Sequence, residues 1–286
     1  MQKMLFIFIV LLTSCKTKPI VVERKINILF IGNSLTYFHD MPKTLQAMLN
    51  EKSNNFNIEQ STFPGMSLKS HLEDIITDSS KDKIHVREKS SNELTETEKK
   101  LHEKNWDIII LQDVTQNQYF SEVTKEVTEP TILKIKQQVN NKDCTFIIFS
   151  TWPSKGDYPR KKMCIPKHYF DWKKYYVNEE VSNNEKFCAS EINNLEEDIK
   201  ILNESYKNIK EVNKLLVSNH PNLHYSVRTN FPEIELYDDD YHPSEIGSFL
   251  NALEFYRIFS NEKVDKLQYN GKLDSKTAKN LKNLFR

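Results

Sequence analysis

The sequence predicts an α/β fold, a three-layer αβα sandwich around a central parallel sheet of about five strands. Short apolar runs alternate with stretches of helical periodicity, and this alternation is typical of βαβ units whose parallel sheet is covered on both faces. The predicted elements are, in chain order, strand 26–31, helix 41–51, strand 56–61, helix 68–77, strand 107–111, helix 131–140, strand 145–150, helix 190–208, a fifth strand near 211–216 and helix 243–259.

Each element rests on a local pattern. The first strand is an apolar run that ends in a glycine turn, the second ends shortly before Gly65, and the third and fourth are again apolar runs of strand length. The intervening helical segments have the 10–15 residues that crossover helices need. The last helix, 243–259, begins at a proline and is amphipathic.

Two segments interrupt the alternation. Residues 78–104 are charged and thinly apolar, which predicts a surface excursion that ends in a helix at 93–104. Residues 152–176 follow the fourth strand and contain seven aromatic side chains, and this aromatic content argues against disorder. Because a loop of this length in a compact domain is usually functional or disordered, we expect it to fold over the nearby sheet edge as an insertion spanning 152–189.

Two short motifs lie almost as far apart as the chain allows. The first strand runs into GNSL at 32–35, and DDDYHPS at 238–244 precedes the last helix. These motifs supply a serine in a tight turn and, far downstream, an acid three residues before a histidine. A serine hydroxyl becomes nucleophilic when an imidazole takes its proton and a carboxylate orients that imidazole.

Together the motifs resemble those of the SGNH (GDSL-like) hydrolase superfamily, whose fold is flavodoxin-like. The resemblance implies a catalytic triad of Ser34, Asp239 and His242, because the Asp-x-x-His pattern selects Asp239 among three adjacent aspartates. Asp240 is the residue most easily confused with it, and a capping or turn role is expected for Asp240 and its neighbour Asp238.

The resemblance also implies an oxyanion hole formed by the backbone N–H groups of Ser34 and Gly65. The chain departs from the superfamily after the third strand, where Gly-x-Asn-Asp is usual and Gln112 begins a different sequence. The amide of Gln112 stands at the carboxyl end of a strand, where ligands collect, and could be the third donor. Asn117 is the alternative.

The N-terminus resembles a bacterial lipoprotein signal. Lys3 precedes nine apolar residues, too few to span a bilayer, and LTSC follows at 12–15. The resemblance implies a signal peptide at 1–14, lipidation of Cys15 and a tether at 15–24, and thus an exported protein anchored to a bacterial membrane. An ordinary secretory signal with a chance cysteine is the alternative.

Composition and cysteine content limit the remaining possibilities. Acidic and basic residues number 40 each, which argues against a nucleic-acid partner. Export permits disulfides; Cys164 and Cys188 could pair, whereas Cys144 is expected to be a buried free thiol. No metal-binding spacing is present, and Pro221 argues against His220 and His224 sharing a helical face. We expect one domain at 25–262, a C-terminal extension at 263–286, no metal and no cofactor.

The expected function is hydrolysis of an acyl ester, by resemblance an O-acetyl group on a carbohydrate. In the loop 152–176, seven basic residues against two acidic ones suggest an anionic glycan, with a solvated basic face as the alternative. A glycan-binding lipoprotein without turnover, and a lipase or thioesterase for long acyl chains, are the competing functions.

Overall fold

The computed structural model describes residues 24–52, 55–79, 84–166, 186–260 and 262–286. The signal peptide, Cys15 and nearly all of the tether lie outside the described residues, as does the middle of the insertion. The strands are, in chain order, β1 Ile26–Gly32, β2 Phe56–Thr62, β3 Asp74–Ser79, β4 Ile84–Glu88, β5 Ile108–Leu111, β6 Thr145–Ile148, β7 Met163–Pro166, β8 Lys186–Ala189 and β9 Leu216–Val217. The helices are Ser34–Tyr37, Met41–Asn50, Leu68–Glu73, Glu96–Glu103, Ser121–Val123, Glu129–Gln138, Leu195–Asn213, His220–Asn230, Glu245–Phe259 and Ser275–Asn283.

Five parallel strands form the central sheet in the order β2-β1-β5-β6-β9. This arrangement confirms the predicted fold class. The chain first adds β2 on one side of β1 and then builds outward on the other side, so the strand order reverses between β1 and β5. In open α/β sheets, ligands bind at such a switch point, outside the carboxyl ends of the strands.

The three layers follow from the alternation of side chains along each strand. In β1, Ile28 and Phe30 face one side and join the core beneath the helices Met41–Asn50 and Glu245–Phe259. Leu29 and Ile31 face the other side and pack in a second core. All four side chains are fully buried, as expected of a parallel sheet covered on both faces.

The predicted helix 68–77 is wrong in its second half. The helix ends at Glu73, and β3 follows and pairs with β4 in an antiparallel hairpin. The sequence Ile75-Ile76-Thr77 is β-branched throughout, which favours a strand once a partner is available. The predicted surface excursion thus contains a hairpin, followed by the helix Glu96–Glu103, which a capping box starts at Thr95.

The predicted fifth strand is also misplaced. Residues 211–213 remain in the helix Leu195–Asn213, which begins five residues later than predicted, at the N-cap Asn194. The helix ends where Lys214 adopts φ 53° in the left-handed region, and only Leu216 and Val217 pair with β6. The helix therefore extends to Asn213, into the segment 211–216 that was predicted to be a strand.

The C-terminal segment is part of the domain. Ala278 and Leu281 in the last helix are fully buried in the same core as Phe249. The predicted extension at 263–286 therefore packs against the core on one side of the sandwich. Along the described parts of the chain, every helix is too short or too polar to cross a membrane.

The described part of the insertion is anchored by a disulfide between Cys164 and Cys188, which joins β7 to β8 with a Cα–Cα separation of 4.1 Å. Phe187 of this hairpin packs with Phe120 and Val123 in a small third core. Cys144 is a free thiol and is half-buried, and burial raises its pKa to about 12. The hairpin is thereby fastened beside the carboxyl edge of the sheet.

Gly247 provides a test of the packing between the last long helix and the segment before it. A Cβ at this position would lie 2.3 Å from the backbone oxygen of Leu236. Gly247→Ala should lower the free energy of unfolding by about 1–3 kcal/mol, because this clash outweighs the gain in helix propensity. Urea denaturation measures the change. Gly156→Ala, where a Cβ meets nothing within 4 Å, is the control; equal stability of both variants would contradict the account.

Candidate active site

The turn that carries Ser34 forms where β1 ends. Asn33 is the N-cap of the helix Ser34–Tyr37, and its side-chain oxygen accepts a hydrogen bond from the N–H of Leu35 at 3.1 Å. A Cβ at Gly32 would lie 2.6 Å from Oε1 of Gln112 and 2.7 Å from Oγ1 of Thr36. Glycine is thus required by close approach, and the turn places Ser34 at the switch point of the sheet.

The acid and the histidine are fixed by their own loop. Oδ1 of Asp239 accepts hydrogen bonds from the backbone N–H groups of Tyr241 at 2.9 Å and His242 at 2.7 Å. The N–H of Asp238 donates to the backbone oxygen of His242 at 3.0 Å. The short spacing of this motif therefore folds the carboxylate back onto the histidine that follows it.

The structure brings Ser34, His242 and Asp239 into one hydrogen-bonded line. Oγ of Ser34 is 2.8 Å from Nε2 of His242, and Nδ1 of the same ring is 2.6 Å from Oδ2 of Asp239. A neutral imidazole with its proton on Nδ1 donates to the carboxylate and accepts from the serine hydroxyl. Partial burial alone would raise the pKa of Asp239, but the hydrogen bonds from His242 and from two backbone N–H groups lower it below its usual value.

The ring of His242 is held from the side. Phe38 stacks on it with ring centroids 4.1 Å apart and an interplanar angle of 2°. The next two residues, His39 and Asp40, have φ values of 49° and 52°, a left-handed conformation that residues other than glycine rarely adopt. Nε2 of His39 lies 2.6 Å from Oδ2 of Asp238, so the turn after Phe38 is tied to the acid–histidine loop.

The predicted oxyanion donors Ser34 and Gly65 lie at the same edge. Both residues line one cavity, and neither backbone N–H bonds to another residue among those that the structure describes. Gly65 has φ +67°, which explains the glycine, and the side chain of Asn33 ties its loop to the serine turn by donating to the backbone oxygen of Met66 at 3.0 Å. The two N–H groups are thus available for an oxygen beside Ser34.

Gln112 directly follows β5, as predicted, but its side-chain amide is engaged by neighbouring groups. Its Nε2 donates to the backbone oxygen of Asp113 at 2.6 Å, while its Oε1 accepts from the N–H of Asn33 at 2.8 Å and from Oγ1 of Thr36 at 2.9 Å. The side chain is fully buried and lines no part of the cavity. Gln112 therefore stabilises the turn that carries Ser34. Its amide does not face the cavity and is not placed to bind an oxyanion there.

Asn117, the alternative third donor, is also engaged elsewhere. Its Nδ2 donates to Oδ2 of Asp113 at 3.2 Å. Asp113 in turn accepts from the N–H of Leu68 at 3.0 Å and from Oγ1 of Thr128 at 2.8 Å. This buried carboxylate joins the loop after β5 to the helix that follows Gly65, and Asn117 belongs to that network.

His71 supports the serine turn from the opposite face of the sheet. Its Nε2 lies 2.9 Å from the backbone oxygen of Gly32, and its Nδ1 lies 2.6 Å from Oγ1 of Thr97. Burial lowers the pKa of His71 to about 4, although the bond to Gly32 opposes this shift. The ring is therefore neutral at pH 7 and donates to the strand end just before the serine.

The line of three residues opens onto a cavity of about 570 Å³. Apolar and aromatic side chains line it together with several polar ones. The residues that line it are Asn33, Ser34, Leu35, Gly65, Val114, Thr115, Gln116, Tyr119, Trp152, Ser154, Arg160, Met163 and Tyr241. Four of them belong to the predicted insertion, whose described part thus forms one wall.

His220 and His224 share one helix after all, because Pro221 sits in its first turn, where a proline needs no hydrogen-bond partner. Both rings are fully buried, and burial lowers the pKa of each to about 3. His220 contacts Ser218, and His224 contacts Asn251 and stacks on Trp152. Within the described ranges, no group of three or more His, Cys, Asp or Glu side chains could hold a metal ion.

Several residues of this site carry no signal in the sequence. Phe38 and His39 follow the serine motif without a recognisable pattern, and His71 lies in a segment that was expected to be only helical. Asp198 is an exception, because the sequence places this charged residue on the apolar side of a predicted helix. Such a position indicates a buried polar contact, and the structure shows Asp198 fully buried beside the cavity.

Comparison with solved structures identifies the fold as that of the SGNH hydrolases. A DUF4886 family protein from Bacteroides uniformis superposes with a TM-score of 0.64 at 15% identity, covering 91% of this chain and 92% of that one. A protein from Slackia heliotrinireducens assigned to the SGNH hydrolases superposes with a TM-score of 0.53 at 17% identity, covering 83% and 100%.

A protein from Parabacteroides merdae assigned to the GDSL-like lipases gives a TM-score of 0.52 at 9% identity, covering 82% of this chain and 95% of that chain. No protein-family model matches the sequence, and no curated protein matches it. At these identities the likeness establishes the fold, which is the fold that the two sequence motifs implied.

The three adjacent aspartates allow a sharp test of the acid. Asp239→Asn should lower kcat by about 10⁴, because an asparagine no longer holds the imidazole in the productive tautomer. Asp240→Asn should change kcat little, since the side chain of Asp240 is bound only by Lys43, away from the catalytic line, and its backbone oxygen accepts a bond from the N–H of Lys155. Steady-state hydrolysis of an aryl acetate measures both; a greater loss at Asp240 would contradict the assignment.

A second test separates the two roles of Gln112. Gln112→Ala should lower both kcat and the unfolding free energy, the latter by about 2 kcal/mol, since it strands the buried N–H of Asn33. Thr36→Val should reproduce part of both losses, while Thr36→Ser, which keeps the hydroxyl, should not. A fall in kcat with unchanged stability would restore Gln112 as an oxyanion donor.

Stability should fall in mild acid because His71 is buried in its neutral form. Its folded pKa of about 4 lies below the usual value of 6.5, so the stabilisation is complete above pH 6.5 and is lost as pH falls toward 4. The loss from His71 should reach about 2–3 kcal/mol at pH 4.5. Urea unfolding at pH 7 and 4.5 measures it. His71→Gln should reduce the dependence by this amount and leave the part that comes from the buried rings of His220 and His224. An unchanged pH slope in that variant would refute the assignment.

Proposed function

We propose that the protein is a serine esterase, an interpretation carried by the hydrogen-bonded line from Ser34 through His242 to Asp239. The 2.8 Å contact joins Ser34 to His242, 208 positions later in the chain, and the 2.6 Å contact joins His242 to Asp239, three positions before it. The line ends at a cavity of about 570 Å³ that Ser34 and Gly65 both line. The backbone N–H groups of these two residues bond to no other residue in the described part of the chain. Acyl transfer is the chemistry that this set of groups serves.

In the proposed reaction, Nε2 of His242 removes the proton of Ser34 as Oγ attacks the acyl carbon. The N–H groups of Ser34 and Gly65 stabilise the oxyanion, and loss of one such donor typically costs about 10²–10³ in kcat. The protonated imidazole then gives its proton to the departing alcohol. Water, deprotonated by the same ring, releases the acid and regenerates the serine. Asp239 stabilises the imidazolium throughout.

The proposed substrate is an O-acyl carbohydrate, with acetyl as the leading acyl group. The cavity combines apolar and aromatic side chains with polar ones, which suits a ring that has an apolar face and hydroxyl edges. Tyr241, next to His242, is 53% exposed and offers an aromatic face at the cavity rim. The non-catalytic alternative, a glycan-binding protein, would use the same surface without turnover.

The proposed setting is outside the cytoplasm, with a lipid anchor at Cys15. The signal-like sequence at the N-terminus motivates this proposal, and the Cys164–Cys188 disulfide supports it, since disulfides persist in oxidising compartments. A mass spectrum of the protein isolated from membranes would test it by the presence of a diacylglyceryl group on an N-terminal Cys15.

One observation favours a second candidate, a lipase or thioesterase. Leu35, Val114 and Met163 give the cavity an apolar wall that an acyl chain could contact. The two candidates differ in chain-length preference. A carbohydrate O-acetyl esterase should lose activity from p-nitrophenyl acetate to the octanoate, and a lipase should gain it.

Hydrolysis of p-nitrophenyl acetate tests the proposal. The wild-type protein should turn the ester over, and Ser34→Ala should be inactive while remaining folded by circular dichroism. EDTA should have no effect. An active Ser34→Ala variant, or inhibition by EDTA that zinc reverses, would contradict a serine mechanism.

A further inference from the structure

The wall of the cavity includes one partner of an ion pair that the proposed reaction does not use. Nη1 of Arg160, a lining residue, is 2.7 Å from Oδ2 of Asp198, whose side chain is fully buried. Tyr119, which also lines the cavity, donates its hydroxyl to Oδ1 of Asp198 at 2.6 Å, and Tyr158 donates to Oδ2 at 2.7 Å. Burial and the charge of Asp198 raise the pKa of both tyrosines, so both keep their protons.

Stability alone gives little reason for such a cluster. A buried ion pair rarely stabilises a fold more than well-packed apolar side chains would, because both charges lose their hydration. The cluster is nevertheless held firmly. The backbone N–H and oxygen of Arg160 bond to Ile192 at 2.8 and 3.0 Å, and its guanidinium lies over the ring of Tyr158 at 4.6 Å. A side chain fixed in this way loses little entropy when a ligand binds.

Not all of the donors of Arg160 are used. The guanidinium has five N–H groups; Nη1 binds Asp198, and Nη2 donates to the backbone oxygen of Ser154 at 2.9 Å and to Oη of Tyr158 at 3.1 Å. Nε and the second N–H of Nη1 bond to no residue in the described part of the chain. Tyr119 offers the opposite kind of group. Its hydroxyl proton is donated to Asp198, so its oxygen can only accept a hydrogen bond from a ligand.

We propose that Arg160 and Tyr119 form a subsite for the neutral, hydroxyl-rich sugar ring of the ester that Ser34 cleaves. A sugar hydroxyl can accept from Arg160 and donate to Tyr119, while Val114 and Met163 contact its apolar face. This proposal rests on the proposed esterase function. In this subsite Arg160 and Tyr119, two residues outside the catalytic line, bind the sugar ring and thereby determine which ester is preferred.

The electrostatics favour a neutral ring over the anionic glycan that the basic loop suggested. Asp198 balances the charge of Arg160 at 2.7 Å, and Tyr119 presents only lone pairs, which repel a carboxylate. Lys155, another basic residue of the loop, is paired with Glu235 at 2.6 Å. Two of the four basic residues in the described part of the loop are therefore neutralised by an acidic partner, and Arg160, the one that lines the cavity, is among them.

The experiment compares three esters: p-nitrophenyl acetate, O-acetylated methyl β-glucoside and O-acetylated methyl β-glucuronoside. The two sugars differ in a hydroxymethyl group against a carboxylate. Wild type should prefer the glucoside. Arg160→Lys retains the charge beside Asp198 but loses the planar fork of donors, so its kcat/KM for the glucoside should fall roughly 10- to 100-fold, mainly through KM. Its kcat/KM for the aryl acetate should fall far less.

Two further variants complete the design. The double variant Arg160→Met with Asp198→Asn removes both charges, and should show the same selective loss if the single variant folds poorly. Arg228→Met is the matched control, because Arg228 donates to the same Ser154 oxygen at 3.1 Å but does not line the cavity; it should keep the selectivity of wild type.

The outcomes separate the two proposals. Equal losses on all three esters, or a wild-type preference for the glucuronoside that Arg160→Lys abolishes, would overturn the neutral subsite. Turnover of p-nitrophenyl acetate with neither sugar ester hydrolysed would also overturn it while leaving the esterase intact. Failure to hydrolyse any of the three esters would overturn the proposed function itself.

Discussion

The site depends on the close approach of two strand ends at the point where the sheet order reverses. Gly32 at the end of β1 lies so near Gln112 at the end of β5 that a single added carbon would clash. Gln112 uses that proximity to bind the N–H of Asn33 and the hydroxyl of Thr36, while His71 donates to the oxygen of Gly32 from the other face. The position of Ser34 follows from these contacts.

The ionisable groups around the serine divide by environment. Burial without a charged partner keeps His71, His220 and His224 neutral, so these rings serve as hydrogen-bonding supports. Asp239 stays ionised because hydrogen bonds to its charged form outweigh its partial burial. Only His242 touches both the carboxylate and the serine hydroxyl, and this contact distinguishes a proton-transfer role from a structural one.

Much of this arrangement could be predicted from the sequence. Strand periodicity located β1, β2, β5 and β6, and the carboxyl ends of parallel strands meet at one edge, so Ser34, Gly65 and the Asp239–His242 loop were expected together. The role of Gln112 could not be predicted, since an amide offers donors and acceptors and only the neighbouring turn decides which are used. The hairpin at 74–88 was missed because strand pairing, a tertiary contact, overrides the local helical pattern. The Arg160–Asp198 pair joins a loop to a helix 38 residues away, a pairing without local signal.

The most direct test of the central claim is covalent labelling of Ser34 with a fluorophosphonate. The reagent forms a stable adduct only with a serine that a neighbouring base activates. Tryptic mass spectrometry should find the adduct on the peptide containing Ser34, with labelling lost in His242→Ala despite an unchanged fold. Labelling at another serine, or at Ser34 with equal speed when His242 is absent, would contradict the account.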